Sequence, residues 1–405
     1  MRKVLLLLFA LAPVLILEGQ TQKLGTYDIK PESLPPPDTS TTAKNPPKVV
    51  ERPADAELTL PPGFTAGVFA EGDFKRPRGV LGAPNGDLLV TDSVANTVVV
   101  VRDKDRDGRA DERAVFASNL NRPYGLAIWR DFLYVASTDA VVRFKYKPGQ
   151  TAADGEAEKI ADLPWGKTGH WTRSLAFSPD GKKLYVGIGS SSNIDLETDV
   201  KRATIAELNP DGTGMRAFAT GVRNPTALAF HPRSRRLWAV VQERDLTGDE
   251  QVPDFVMEVK EGGFYGWPYA YVGPNEDPRH KGVQPDLVKK TIVPDVLIQA
   301  HAAVMGASFG AGSMFPNDYR DDLFVATHGS SNRAQRTGYN VIRIPFEGGR
   351  PKGGYEDFAI GWMLSPDRPE VWGRPVGVAF LSDGSMIVSE DGGNRIWRIT
   401  YSRTR

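Results

Sequence analysis

Cysteine is absent from all 405 residues, which excludes disulfides, thiolate metal sites, lipid-modified cysteines and cysteine nucleophiles. Net charge is missing too: 50 basic and 50 acidic residues cancel. No long-range positive field would gather nucleic acid, and no block of like charge forms an interaction tail. Histidine is scarce, at five, and no pair has the HxxxH or HxH spacing of a zinc site. No G-x-S-x-G elbow, phosphate-binding G-x-x-x-x-G-K-[ST] loop or Rossmann fingerprint opens a helix. The one long apolar run is Val4 to Leu17, behind Arg2 and Lys3. It suits the core of a signal peptide and is short for a membrane span of about 20 residues. Residues 1–20 are therefore expected to be a signal peptide. The protein would be exported, periplasmic or extracellular, with no membrane span in the mature chain.

What is abundant is glycine, at 41, and proline, at 31, a composition suited to many short strands and turns. Residues 21–57 are polar and proline-rich, without enough apolar surface to offset the entropy of ordering. They are expected to form a disordered tether. From residue 58 to 405 a unit recurs, made of an inner strand, a polar turn and a second apolar strand. Its clearest copies start at Arg76-Pro77-Arg78-Gly79, Arg122-Pro123-Tyr124-Gly125, Arg173-Ser174-Leu175, Arg223-Asn224-Pro225 and Arg374-Pro375-Val376-Gly377, with a weaker one at Met305-Gly306. Intervals of roughly 46 to 51 residues, stretched twice by insertions near 245–300 and 329–372, are the period of four-stranded propeller blades. The fold class is all-β, a six-bladed β-propeller, with Phe64 to Phe69 available to close the last blade.

Arginine precedes the inner strand in five of the six copies: Arg76, Arg122, Arg173, Arg223 and Arg374. Equivalent positions in a propeller face one end of the axis, so these guanidiniums would converge on a polyanion; alternatively, each ties neighbouring blades together. His170, three residues before Arg173, is the candidate general base. Asp103-Lys104-Asp105-Arg106-Asp107-Gly108-Arg109-Ala110-Asp111 spells a calcium-loop pattern. Asp103, Asp105, Asp107, Arg109 and Asp111 would hold a structural Ca²⁺, although Ala114 stands where an EF-hand has its closing glutamate. The loop 242–250 is a weaker acidic candidate.

Gly221-Val222-Arg223-Asn224-Pro225, Gly169-His170 and Glu261-Gly262-Gly263-Phe264-Tyr265-Gly266-Trp267-Pro268 resemble the soluble sugar dehydrogenases that depend on pyrroloquinoline quinone (PQQ). Gly169-His170-Trp171-Thr172-Arg173, His328-Gly329-Ser330-Ser331-Asn332-Arg333 and Gly373-Arg374-Pro375-Val376 resemble the L-sorbosone dehydrogenase-like branch. The resemblance implies a six-bladed propeller with PQQ and Ca²⁺, a sugar or aldehyde substrate, and an external electron acceptor, a quinone or a cytochrome. It makes His170 the base and sets Arg223 and Asn224 over the quinone carbonyl and a carboxylate. Gln242, His328, Arg374 and, by blade position, Arg122 would be further cofactor contacts. The backbone carbonyls of Glu243 and Arg244 would hold the catalytic calcium, and His301 would fall near a position that packs on the ring. Two departures stand out. Glucose-oxidising relatives have an acid before the base, where this chain has Gly169, so His170 needs another partner. Glu243-Arg244 replaces their Gly-Pro pair. Two other readings of the scaffold are a calcium-dependent, lactonase-like hydrolase and a binding propeller without catalysis.

Overall fold

A computed structural model describes residues 23–40, 43–166, 169–310, 312 and 314–402. The expected signal peptide, 1–20, lies outside the described residues. Six antiparallel sheets are arranged as a six-bladed β-propeller. Their innermost strands are Pro77–Gly82, Gly125–Trp129, Leu175–Phe177, Asn224–Phe230, Val304–Phe309 and Pro375–Phe380, in blades one to six. The recurring sequence unit is thus one blade, and the five arginines stand one to three residues before its inner strand.

Glycine recurs in the unit because the inner strands crowd together at the axis. A Cβ added at Gly79 would lie 1.9 Å from the Tyr124 carbonyl oxygen, and one at Gly377 would lie 2.3 Å from that of Arg78. Where the position is not glycine, a hydroxyl fastens the neighbouring blade. Ser174 Oγ donates to the Pro225 carbonyl (2.8 Å) and Thr226 Oγ1 to that of Val304 (2.9 Å). Each blade then buries its faces against the next. Leu89, Val98 and Val100 of blade one, for example, share a core with Leu133, Val135 and Val142 of blade two. A single blade has no such cover, so the ring must close. Phe64–Glu71 closes it, pairing antiparallel with Arg395–Tyr401 as the outer strand of blade six. This is the segment the sequence offered for the purpose.

The proline-rich segment differs from expectation. It is extended, but it lies against the propeller instead of hanging free. Thr26–Tyr27 adds to the outer edge of blade five, and Lys48–Val49 pairs in parallel with Glu370–Val371. Between them, the Asp38 amide donates to the Thr247 carbonyl, and Gln251 Nε2 donates to that of Pro35. The Asn45 amide bonds the Ser331 carbonyl, and Arg52 lies over the rings of Trp372 and Trp397. The ordering entropy that composition alone could not offset is met by partners some 200 to 330 residues away along the chain. Among the described residues no helix is long and apolar enough to cross a membrane.

Candidate functional site

Inner strands run from one end of the axis to the other. A channel of about 400 Å³ follows them, lined by glycines such as Gly79, Gly125, Gly306 and Gly377 and by larger side chains such as Leu81, Phe230 and Phe309. Polar groups collect at the end where the inner strands begin, which also receives the ends of the second strands. This end is the mouth of the propeller.

His170 is half-buried there. Its Nδ1 lies 3.1 Å from the Ser190 carbonyl and 3.0 Å from Ser190 Oγ. Ser190 Oγ donates its own proton to the Ser192 carbonyl (2.6 Å), so both Ser190 oxygens accept and His170 Nδ1 carries the hydrogen. Nε2 is left as a lone pair. Ser190 therefore supplies the orientation that the missing acid at Gly169 does not. Dehydration in the recess, then the nearby Arg223 guanidinium, lowers the His170 pKa to about 3, so the ring is neutral at ordinary pH.

Arg223 is fixed on all sides. Its Nε and Nη2 donate to the backbone carbonyl and side-chain oxygen of Asn193, and Nη1 donates to the Glu243 carbonyl (2.5 Å). Asn193 also accepts from the Asp245 amide and donates to the Asp245 carbonyl, joining loops of blades three and four. Asn224 Nδ2 donates to Gln242 Oε1 (2.8 Å), and Gln242 Nε2 lies 3.1 Å from Met305 Sδ. Across the mouth, His328 Nε2 is 2.7 Å from Asp391 Oδ1, whose other oxygen receives Arg78 at 2.5 Å. Burial works to raise the Asp391 pKa, but His328, Arg78 and Arg374 outweigh it and hold the carboxyl well below its usual range. Arg374 donates to the carbonyls of His328 (3.1 Å) and Gly329 (3.3 Å). Thus His170, Arg223, Asn224, Gln242, His328 and Arg374 are all brought to one end of the axis.

Other expectations need correction. Arg173 belongs to the bridging class: its fully buried guanidinium donates to the carbonyls of His170, Thr172 and Pro164. Arg244 is equally enclosed, bound to Glu243, Asp277 and the carbonyls of Pro268 and Ala270 on the insertion in blade four. Two ionised partners and two carbonyls offset what burying that charge would otherwise cost. His301 is buried with both ring nitrogens occupied. Its Nδ1 meets Asp245 Oδ1 (3.0 Å) and its Nε2 the Gly248 carbonyl (2.9 Å), an arrangement that needs both nitrogens protonated. Burial opposes that charge, but Asp245 and Gly248 outweigh it and raise the pKa. Arg122 is exposed at the rim, 6.0 Å from the Trp171 ring.

The residues fit a planar polyanion. Arg78, Arg223 and Arg374 approach from different blades, with Arg76 and Arg122 at the rim, and donor-bearing amides stand between them. A calcium ion on the Glu243 and Arg244 carbonyls fits less well. The Glu243 carbonyl is already taken by a guanidinium, and a divalent cation would have to share that oxygen against like-charge repulsion. At the other end of the propeller, the carboxylates of Asp103, Asp105 and Asp111 have ligand atoms within 4.8 Å of one another. Asp103 Oδ1 is buried without a partner. Asp107 is not in this group; its Oδ1 accepts from the Arg109 amide (2.7 Å).

Three mouth residues, Ser190, Asn193 and Asp391, were not read from the sequence. Ser190 and Asp391 follow the second strand of their blades, as Glu243 and His328 do. Aligning those strand ends across the repeat, as was done for the arginines, would have exposed them. Asn193 carries no such repeat signal.

Fold and mouth together define a six-bladed propeller with polar and charged side chains gathered at one end of its axis. A family model described as TrAA12-like matches residues 58–253 and 284–402. The chain belongs to this TrAA12-like family. An uncharacterised protein of Borreliella burgdorferi is 28% identical over 361 residues, covering 85% of this chain and 91% of that one. Among solved structures, the AA12 carbohydrate-active enzyme of Trichoderma reesei in its iodide form has a TM-score of 0.75 at 19% identity. The match covers 88% of this chain and 100% of that one. The holo form of the PQQ domain of pyranose dehydrogenase from Coprinopsis cinerea has a TM-score of 0.72 at 19% identity, covering 88% and 99%. PQQ-bound aldose sugar dehydrogenase from Streptomyces coelicolor follows at 0.60 and 21%, covering 85% and 100%.

Proposed function

We propose that the protein is an exported quinoprotein dehydrogenase. It binds PQQ, oxidises an aldose or a sugar-derived aldehyde or hydroxyl, and passes electrons to an external quinone or cytochrome. The observation that carries this reading is the mouth itself. Guanidiniums from separate blades converge there beside a neutral imidazole whose Nε2 is unused. PQQ has three carboxylates, and planar donor forks of this kind match carboxylates in pairs.

When bound, the quinone supplies hydride-accepting chemistry. The protein's part is to bind, orient and deprotonate. His170, its Nδ1 hydrogen held by Ser190, presents Nε2 to a substrate hydroxyl and takes its proton. A positioned base of this kind typically contributes about 10²–10⁴-fold in rate. Arg223, Asn224, Gln242, His328 and Arg374 would hold the cofactor, with Arg122 at the rim. The half-buried imidazole can return its proton to solvent. Within this reading, the stretches at 169–173, 328–333 and 373–376 favour the L-sorbosone dehydrogenase-like branch and a sugar-derived aldehyde. Calcium is assigned to the Asp103–Asp105–Asp111 loop as a structural ion, with the unpartnered Asp103 oxygen in its support.

The test is reconstitution of the purified chain with PQQ and Ca²⁺, following dye reduction across a panel of aldoses and sugar aldehydes. Turnover is expected with at least one class of sugar and none without PQQ. Acid release from lactones in the absence of dye and PQQ would overturn the dehydrogenase reading in favour of a hydrolase.

A further inference from the structure

We propose that the mouth loop of blade four, residues 243–249, is held in its binding shape by cationic side chains, His301 and Arg223 foremost, so that PQQ binds there without a calcium ion. The inference rests on the quinoprotein reading above and concerns how that site is charged.

A metal ion on this loop would draw on backbone carbonyls, and Ca²⁺ takes about 6–8 oxygen ligands. The carbonyls are already engaged. That of Glu243 accepts from Arg223 Nη1 (2.5 Å), that of Asp245 from Asn193 Nδ2 (2.9 Å) and that of Thr247 from the Asp38 amide (3.0 Å). The Gly248 carbonyl accepts from His301 Nε2 (2.9 Å), and that of Asp249 from Arg333 Nη1 (2.8 Å). Arg279 Nη1 adds longer contacts to the carbonyls of Asp245 and Leu246 (3.4 and 3.5 Å). Among the described residues, only the Arg244 carbonyl of this stretch has no donor. One oxygen does not make a calcium site.

Most of these donors carry positive charge. Arg223 stands at the start of the inner strand of blade four, Arg279 on that blade's insertion, and His301 and Arg333 on loops of blade five. A divalent ion brought among them would meet like charge on several sides. The carboxylates that could soften this are taken as well. Asp245 Oδ1 meets His301 Nδ1 (3.0 Å), and its Oδ2 lies 3.9 Å from Arg223 Nη2. Asp249 Oδ2 accepts from the Ala334 amide (2.9 Å), and Glu250 is paired with Arg333.

His301 is central because it grips the loop twice, at Asp245 and Gly248, through both nitrogens of one buried ring. Its φ is +67°, an uncommon region outside glycine that persists where the surroundings fix it. Asp254 completes the brace, its Oδ1 accepting from the Glu243 amide (2.8 Å) and its Oδ2 from the Val304 amide (3.1 Å). Glu243 is thereby held at both its amide and its carbonyl. Arg223 has five N–H groups and spends three on Asn193 and Glu243. The remaining two can meet a ligand carboxylate directly, work that a metal ion would otherwise share.

Two measurements on the full-length chain test this. In equilibrium dialysis against radioactive calcium, the calcium bound per chain is expected to be the same with and without saturating PQQ. One further ion per chain on adding PQQ would overturn the inference and leave the quinoprotein reading standing. Calorimetry of PQQ in EDTA and in calcium, with thermal melts to confirm the fold, is the second. Wild type is expected to keep its Kd within about threefold between the two buffers. His301→Asn accommodates the left-handed backbone but cannot bridge Asp245 and Gly248, and its Kd is expected to be about tenfold weaker. Wild-type affinity in a folded His301→Asn would overturn the inference, as would binding by a folded wild type that disappears in EDTA. Should EDTA unfold the chain, the calcium count decides alone. No PQQ binding by wild type in either buffer would sink the quinoprotein reading and this inference with it.

Discussion

The two halves of the mouth each hold a histidine, and they are wired in opposite ways. On the side of blades three and four, His170 gives Nδ1 to the neutral oxygens of Ser190 and keeps Nε2 free. On the side of blades five, six and one, His328 gives Nε2 to an ionised carboxylate, Asp391, which also binds Arg78. A ring tied to a neutral carbonyl is oriented without being charged, which suits a base. A ring locked into a buried network of ions serves instead to hold guanidiniums in place. Similar residues at the same mouth are thus given different work by one neighbour each.

The largest expected effect separates the halves. His170→Ala should reduce turnover by about 10²–10⁴-fold in the reconstituted enzyme while cofactor absorbance is retained. Unchanged turnover would remove it as the base. Replacing Asp391 by Ala should instead act on stability. It leaves Arg78 buried without its carboxylate, a loss of about 3–5 kcal/mol that urea unfolding of the apo-protein would register. A loss below about 1 kcal/mol would mean the network is not a structural unit.

How much of this was legible in the chain follows from what repeats. The inner strands announced themselves because glycine must stand where backbones touch at the axis, as at Gly79 and Gly377. Phe64 to Phe69 was identifiable as the closing strand because the last blade lacked one. Arginine recurrence marked one end of the axis, but it could not distinguish guanidiniums buried against carbonyls, such as Arg173 and Arg223, from the exposed Arg76 and Arg122. That distinction depends on which loop lies opposite, and it has no local sequence signal. The same limit misjudged residues 23–57, whose partners lie hundreds of residues away.

Smaller effects sharpen the contrast further. Burial and Arg223 hold His170 at about 3. Burial and Arg374 hold His328 at about 4, against the pull of Asp391. The unfolded chain takes up these protons near 6.5, and the folded chain does not until far lower pH. Their contribution to stability is therefore full above 6.5 and lost as pH falls from 6.5 toward 3–4. Ring resonances followed by NMR in the apo-protein should remain those of neutral imidazole at pH 5; a midpoint near 6.5 for either ring would contradict the burial argument. Ser190→Ala is the mildest change, since the backbone carbonyl still accepts from Nδ1. A decrease in kcat of a few-fold is expected, in line with about 0.5–1.5 kcal/mol for one hydrogen bond.

The central claim is that cations from separate blades assemble one site for a trianion. Isothermal titration of PQQ into the apo-protein tests it most directly, with Arg223→Ala and Arg374→Ala measured beside wild type. One PQQ per chain, with affinity at least tenfold weaker in each variant, is the predicted result. Wild-type affinity in both variants, or no binding to wild type at all, would contradict it.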